Sequence, residues 1–593
     1  MLHLLRSPRT TRLVLAIALP AVLWGCAEPG SGPPGKRAST STDKLVAGYL
    51  ERYFETFPTR ATAAGRHEWD DKLEDLGEAS RDAWVDYNRR VAVEAQLLLE
   101  DRATSFDERL DLELLNRQNQ RVLLDYESQD LPGTSPLFWS GKLSNATVLL
   151  LVRDDVPLER RLESAAERAR LLPGLAAQAR EALESGEASR IAPEHASMAA
   201  RQLGASAIFY RKGFAKAAGD DDLLAERLET AGRSAAEALE ELAEFLSELA
   251  ENATGTPRLG SMYARRFQVV TGVREPVESV LEQATRDLEA KRAETAAYGR
   301  SVWPELLADE PMPESDIEVV RRLFERVSAD RAEDIETFIE HYRTLIADST
   351  EFVRSREIVT LPEPLTVVTD RSPSFFIGQS VGGVYPAGPY ASAEAATLLF
   401  LPTPSDEATP EQKDAFFRDF NEHFNTMITP HEIIPGHYLQ LKYAARHPHK
   451  IRALFGDGVF IEGWGTFAER LMLDQGWGGP LDRLAHLKKQ LENIARTIVD
   501  IRVHTQEMSR DEVLRFVRDE ALQDAQFAGN MWRRAITSSP QLTSYYLGYR
   551  QVHGLYEETR ALRGSDFVLR EFMDGMMELG PVPIRHYRAM MLD

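Results

Sequence analysis

From residue 45 to about residue 350 the chain repeats one pattern: apolar side chains recur three and four positions apart among Ala, Glu and Arg, as in ERLETAGRSAAEALEELAEFLSELAEN. Residues so spaced share one face of an α-helix, and Ala, Leu, Glu and Arg lose little on entering one. Such a chain must bury helix against helix. The Ala and Glu content of residues 160–250 raises a coiled coil, but no a/d heptad persists over four repeats, so a helical layer around a cleft is expected instead. Expected breaks fall at Leu131-Pro132-Gly133, Leu172-Pro173-Gly174 and Gly255-Thr256-Pro257. Residues 358–403 change texture, with β-branched and aromatic runs between Pro and Gly turn signals, and are the one region assigned to strands. Helical pattern returns at 410–446, 460–475, 480–503 and 509–524, and from 544 nearly to the end. The expected fold class is mainly α: a large helical body around a cleft, with a small β-sheet near the active site.

Residues 431–437, HEIIPGH, interrupt this regularity. In the zinc-binding pattern H-E-x-x-H two histidines one turn apart hold the ion and the intervening glutamate acts as base. Here the second histidine comes two residues late. On a straight helix His431 and His437 would lie roughly 240° apart and could not share an ion. Pro435 lacks an amide hydrogen and Gly436 adopts angles other residues avoid. Extrusion of that pair as a bulge returns His437 to the face of His431. Such a zinc site needs a third protein ligand. Glu462 in VFIEGWGTFAERL, 25 residues beyond His437, offers it, and Glu469, seven residues further on the same helical face, suits a hydrogen-bonding supporter of a ligand. Alone, Glu462 reads as a solvated acid; with His431, Glu432 and His437 it reads as a ligand. His423, His447, His449 and His504 are nearby in sequence without the spacing of a site.

The first residues follow different rules. Arg6, Arg9 and Arg12 precede the apolar run 13–25, which is shorter than a membrane-spanning helix needs and has the charge layout of a secretory signal. It ends at Leu23-Trp24-Gly25-Cys26, similar to the L-x-G-C lipobox of bacterial lipoproteins, with a bulky Trp24 at a position usually small or branched. Cys26 is the only cysteine, so no intramolecular disulfide can form. A signal peptide is expected over 1–25, a Pro/Gly/Ser/Thr-rich tether over 26–44, and the folded body over 45–593. The formal charge of −23 excludes a nucleic-acid backbone as an expected partner, because phosphates demand clustered Lys and Arg.

The motif His431-Glu432-x-x-Pro435-Gly436-His437 with x-Leu439-Gln440, followed by Glu462-Gly463-Trp464 and Ala468-Glu469, resembles the bacterial family known as domain of unknown function 885. The resemblance is strongest over residues 358–560. It departs at Tyr438, where many members carry a second histidine, and at Gly465, where alanine is usual. Members are commonly secreted or lipid-anchored and largely helical, and are similar to zinc peptidases of the angiotensin-converting-enzyme and oligopeptidase type. The resemblance implies a gluzincin-like fold, Zn2+ on His431, His437 and Glu462, and Glu432 as base. It also implies Tyr and His donors after the ligands: the S-Y-x-x-G pattern places the tyrosine at Tyr545, with His553 and Arg550 as further candidates. An extended peptide could add to a sheet edge at VYPAGPY, 384–390, or TLLFL, 397–401.

The reading that follows is a zinc metallopeptidase of the bacterial cell envelope, acting on short peptides and held on the periplasmic or outer-membrane face by lipid on Cys26. Two other classes share these features: a catalytically silent peptidase-like lipoprotein that binds peptides, and a zinc hydrolase of non-peptide amides or esters. Retention of Glu432 speaks against the silent protein, since a structural ion needs no base.

Overall fold

The computed structural model describes residues 40–373, 375–376, 383–404 and 408–592. The expected signal segment, Cys26 and most of the tether lie outside them. The chain from Ser41 onward forms one unit, mainly helical with one three-stranded sheet. The first helix, Ser41–Thr56, begins inside the expected tether because Leu45, Tyr49, Leu50 and Phe54, spaced at four, one and four, bury one stripe.

Small side chains let the next helices approach closely. In Leu158–Ser185, Pro193–Lys212 and Asp222–Asn252 the contacts run through fully buried alanines, among them Ala165, Ala169, Ala199, Ala207, Ala231 and Ala235. Pro173 does not break its helix as expected. The buried residues Ala169, Leu172, Leu175 and Ala176 anchor both sides of it, and their packing outweighs one missing hydrogen bond. The other two breaks hold: Pro132 sits in the first turn of Leu131–Thr134, and Gly255 follows the end of Asp222–Asn252. Ala525–Ser538 is a helix the periodicity did not indicate. Among the described residues no helix is long and apolar enough to cross a membrane.

Strands β1 (Val367–Arg371), β2 (Gly383–Tyr385) and β3 (Thr397–Leu401) pair in the order β1-β3-β2. β1 runs parallel to β3 from Val367 opposite Thr397 to Arg371 opposite Leu401; β2 runs antiparallel, with Gly383 opposite Phe400. TLLFL is therefore the central strand, paired on both sides, and cannot accept a peptide as expected. A continuous apolar run buried on both faces is what a central strand requires. Of VYPAGPY only the first two residues belong to an edge strand; beyond them Pro386 O accepts from Arg153 at 2.6 Å and the Tyr390 amide donates to Ala64 O at 2.9 Å. The sheet is tied to the motif region through Thr366, whose amide donates to the Tyr438 hydroxyl at 2.8 Å.

The helix Pro480–Thr505 runs through the interior, buried on nearly every face. A helix so placed must partner its polar side chains internally. Glu492 does so between Lys489 at 3.0 Å and Arg496 at 2.6 Å, and although burial opposes its charge these cations hold its pKa down to about 2.

Candidate metal centre

The helix that carries His431 and Glu432, Glu422–Glu432, is started by Asn421, whose side chain accepts from the Phe424 amide, and ends at Glu432. His437 opens a second helix, His437–Arg446. The interruption is thus a four-residue buried link, 433–436, where a two-residue bulge in one helix was expected. Gly436 explains the tightness of the reversal: a β-carbon there would lie 1.9 Å from His431 O and 2.2 Å from Pro430 O, so no other residue fits. The outcome for the histidines is the expected one by a different route. Their ring centroids are 4.6 Å apart.

Glu462 arrives on Gly458–Asp474, a helix started by Asp457, which accepts from the Phe460 amide at 2.7 Å. The residues around it each have a separate task. Gly463 meets Gly548 of Ser544–Arg563 backbone to backbone; a β-carbon on Gly463 would lie 2.2 Å from Gly548 C, and one on Gly548 2.0 Å from Val459 O. The Trp464 indole donates to Pro435 O at 2.8 Å, fixing the link between the two histidine helices. Gly465 lies under the His431 ring, so closely that a β-carbon would stand 2.8 Å from Nε2. Glu469, fully buried, accepts from or pairs with His431 Nδ1 at 2.7 Å and His486 Nδ1 at 3.1 Å.

Glu462 Oε2 lies 3.7 Å from His431 Nε2 and 3.6 Å from His437 Nε2, and one ligand atom from each of the three residues falls within 4.8 Å of the others. Ligands at zinc bond lengths of roughly 2.0 to 2.2 Å in a tetrahedron stand about 3.3 Å apart, so these residues can hold a divalent cation of that size with little adjustment. The electrostatics agree with this fit. Burial opposes charge on both His431 and Glu462, yet their mutual attraction, with Glu469 on the far side, holds the His431 pKa well above and the Glu462 pKa well below their ordinary values. Glu469 is likewise held down to about 2 by the two imidazoles, against its burial. Glu432, Glu462 and Glu469 all place negative charge beside His431, while His486 offsets Glu469 on its other side. Among the described residues the buried Nδ1 of His437 has no hydrogen-bond partner.

Tyr545 is brought to this group: its ring lies 6.5 Å from that of His431, stacked at 24°. The Gln541 amide donates both to Glu462 Oε1 at 3.1 Å and to the Tyr545 hydroxyl at 3.2 Å, and Arg534 donates to the same hydroxyl at 3.3 Å. The guanidinium carbon of Arg496 is 4.6 Å from the tyrosine ring centre. Both of these bonds are accepted by the hydroxyl, leaving its own proton for another acceptor. Arg550 and His553 are not brought in. Arg550, five residues on and turned about 140° from Tyr545, is engaged with Glu275 and lies over the Tyr546 ring, while His553, about 12 Å further along the helix, packs among Phe467, Tyr549 and Tyr556. His423, His447, His449 and His504 also find partners elsewhere, His423 between Asp330 and Asp482, for example. Sequence reading missed His486, Gln541, Arg534 and Arg496. Gln541 carries no pattern that could have revealed it; His486 had one signal, a histidine on a run otherwise apolar.

The family model for bacterial protein of unknown function (DUF885) matches residues 58–591, taking in the N-terminal helices beyond the stretch where the resemblance was strongest. Among solved structures, a candidate lipoprotein of unknown function from Shewanella oneidensis is 26% identical, covering 93% of this chain and 100% of its own, with a TM-score of 0.76. A candidate lipoprotein from Colwellia psychrerythraea, 14% identical, covers 93% and 98% with a TM-score of 0.75, a likeness of fold alone. No curated protein matches. With the family model spanning nearly the whole folded body, the chain belongs to the bacterial DUF885 family.

Proposed function

We propose that this protein is a zinc-dependent peptidase of the bacterial envelope, anchored by lipid on Cys26. The observation that carries the reading is the convergence of His431, His437 and Glu462 with Glu432 adjoining the first ligand and Glu469 behind it. When bound, zinc supplies a Lewis acid for the scissile carbonyl and acidifies a water. The remaining work belongs to side chains. Glu432, half-buried at the end of its helix, takes a proton from the attacking water and delivers it to the leaving amine. Tyr545, its hydroxyl oriented by Arg534 and Gln541, donates to the carbonyl oxygen as negative charge develops there. Glu469 fixes the His431 ring so that Nε2 faces Glu462. Anchoring is supported by Leu23-Trp24-Gly25-Cys26 and by the lipoprotein character proposed for the Shewanella oneidensis neighbour.

The test is metal content together with cleavage of a mixed peptide library. Glu432→Gln is expected to retain zinc and lose hydrolysis, whereas His431→Ala and His437→Ala lose both. Equal loss of zinc in all three variants would make Glu432 structural, and a wild-type protein that takes up no zinc would end the reading.

A further inference from the structure

A cavity of about 520 Å³ opens beside Glu462, and its lining also includes Gln541 and Ser544 from the tyrosine side. Its opposite wall is one face of the helix Phe106–Leu123, presenting Leu114, Arg117, Gln118 and Arg121, and Arg266 closes a third side. Three guanidiniums beside a metal-ligand carboxylate need an explanation in a chain whose net charge is −23. Two have one. Arg117 pairs with Asp457, the residue that starts the Glu462 helix. Arg266 is held by Asp125 at 2.8 Å, by Gln129 at 2.6 Å and by Ser539 O at 3.0 Å, tying three segments together.

Arg121 is different. Its nearest carboxylate, Asp125, is 3.9 Å away and already committed to Arg266, and among the described residues its guanidinium makes no hydrogen bond. Asp457 and Asp125 answer Arg117 and Arg266, and Glu462, the third carboxylate at the cavity, faces His431 and His437, so Arg121 is the guanidinium left to meet a ligand. Its side chain is 54% exposed, yet desolvation by the surrounding walls, with Arg266 adding repulsion, lowers its pKa despite Asp125. That combination describes a cation lining a cleft. A forked donor in such a place matches a carboxylate.

We infer that this cavity is a carboxylate-binding subsite with Arg121 as the receptor, and that it holds the free carboxyl terminus of a short peptide whose nearby amide bond lies at His431, His437 and Glu462. The cleavage half of this statement rests on the peptidase reading; the binding half does not. A volume of about 520 Å³ has room for only a short C-terminal piece beyond the scissile bond, so the substrates are peptides trimmed from the carboxyl end.

The experiment uses the mature full-length chain carrying Glu432→Gln, titrated calorimetrically with pairs of N-acetylated tripeptides that are identical except for a free or amidated carboxyl terminus. The free acids are expected to bind about tenfold or more tightly, as a charge-assisted pair requires. Arg121→Gln should bring acid and amide to within about twofold, and Arg121→Lys should restore part of the preference; an unchanged unfolding temperature shows that the wall is intact. Acids and amides binding alike, a preference that survives Arg121→Gln, or no binding of either form would each overturn the inference. Turnover of the same pairs by wild type separates the two proposals. Acid preference without hydrolysis sinks the peptidase and leaves the subsite, whereas equal hydrolysis of acids and amides does the reverse.

Discussion

Glu469 shows what a single residue contributes here. It touches no position where a substrate could sit; it is buried against His431 and His486 and sets which nitrogen of His431 faces Glu462. Removing such a supporting acceptor from a metal site typically costs roughly 10- to 100-fold in affinity. Glu469→Gln is therefore expected to weaken zinc binding by about that factor while Glu432→Gln leaves it unchanged, a contrast that metal competition with a chelator measures directly. Equal affinity in the two variants would assign Glu469 a purely packing role. Tyr545 sits at the same scale: a hydroxyl that accepts from Arg534 and Gln541 is aimed by its neighbours, so those two residues position it.

Among the elements, the crossing of Gly458–Asp474 with Ser544–Arg563 decides how close Glu462 and Tyr545 come. Backbone touches backbone at Gly463 and Gly548, and there is no flexible side chain to yield. An added methyl must push the helices apart, an overpacking that costs about 1–3 kcal/mol. Gly548→Ala is expected to lower the unfolding temperature and also to weaken zinc binding, since it displaces the helix that carries the third ligand. Calorimetric melting with and without zinc checks this: destabilisation with full metal affinity would mean that the ligands do not depend on the crossing.

The whole molecule is held in part by buried ion pairs between distant segments, and these give it a pH dependence. His67 faces Asp155 at 3.5 Å and Asp70 at 2.8 Å, and its pairing with Asp155 and then with Asp70 raises its pKa to about 9 against the opposing effect of burial. A histidine pKa higher in the folded than in the unfolded chain stabilises the fold fully below the ordinary value near 6.5, and that stabilisation is lost as pH rises through about 9. His67→Gln should therefore cost about 1–2 kcal/mol at pH 6, after allowance for solvent screening, and much less at pH 10. Denaturant unfolding at the two values tests the sign, and a cost that grows with pH would refute the assignment. At the chain's other extreme, mass analysis of the membrane fraction is expected to find mature protein beginning at a lipidated Cys26. Cys26→Ser should carry no lipid, and its retention on the membrane at unprocessed mass would show an uncleaved anchor instead.

The sequence by itself determined the helical class, the strand region and the residue types of the candidate metal centre, because helix period and turn chemistry act over a few neighbouring residues. E-G-W was legible as a unit for the same reason, although its three tasks were not: Glu462 faces the histidines, Gly463 meets Gly548 and Trp464 holds Pro435 O. Tertiary structure alone decided where the chain reverses between His431 and His437, since the four-residue link is fixed by the fit of Gly436 against carbonyls and by an indole 29 residues away. It also decided which of the late residues reach the centre. Tyr545 does, while Arg550 and His553 turn toward other neighbours, and Gln541 and His486 enter unannounced. The cavity wall at Arg121 stands 341 positions from Glu462, and no local pattern encodes a meeting over that separation. Side-chain direction past a helix break, and contact between segments far apart in the chain, follow from how the helices pack against one another.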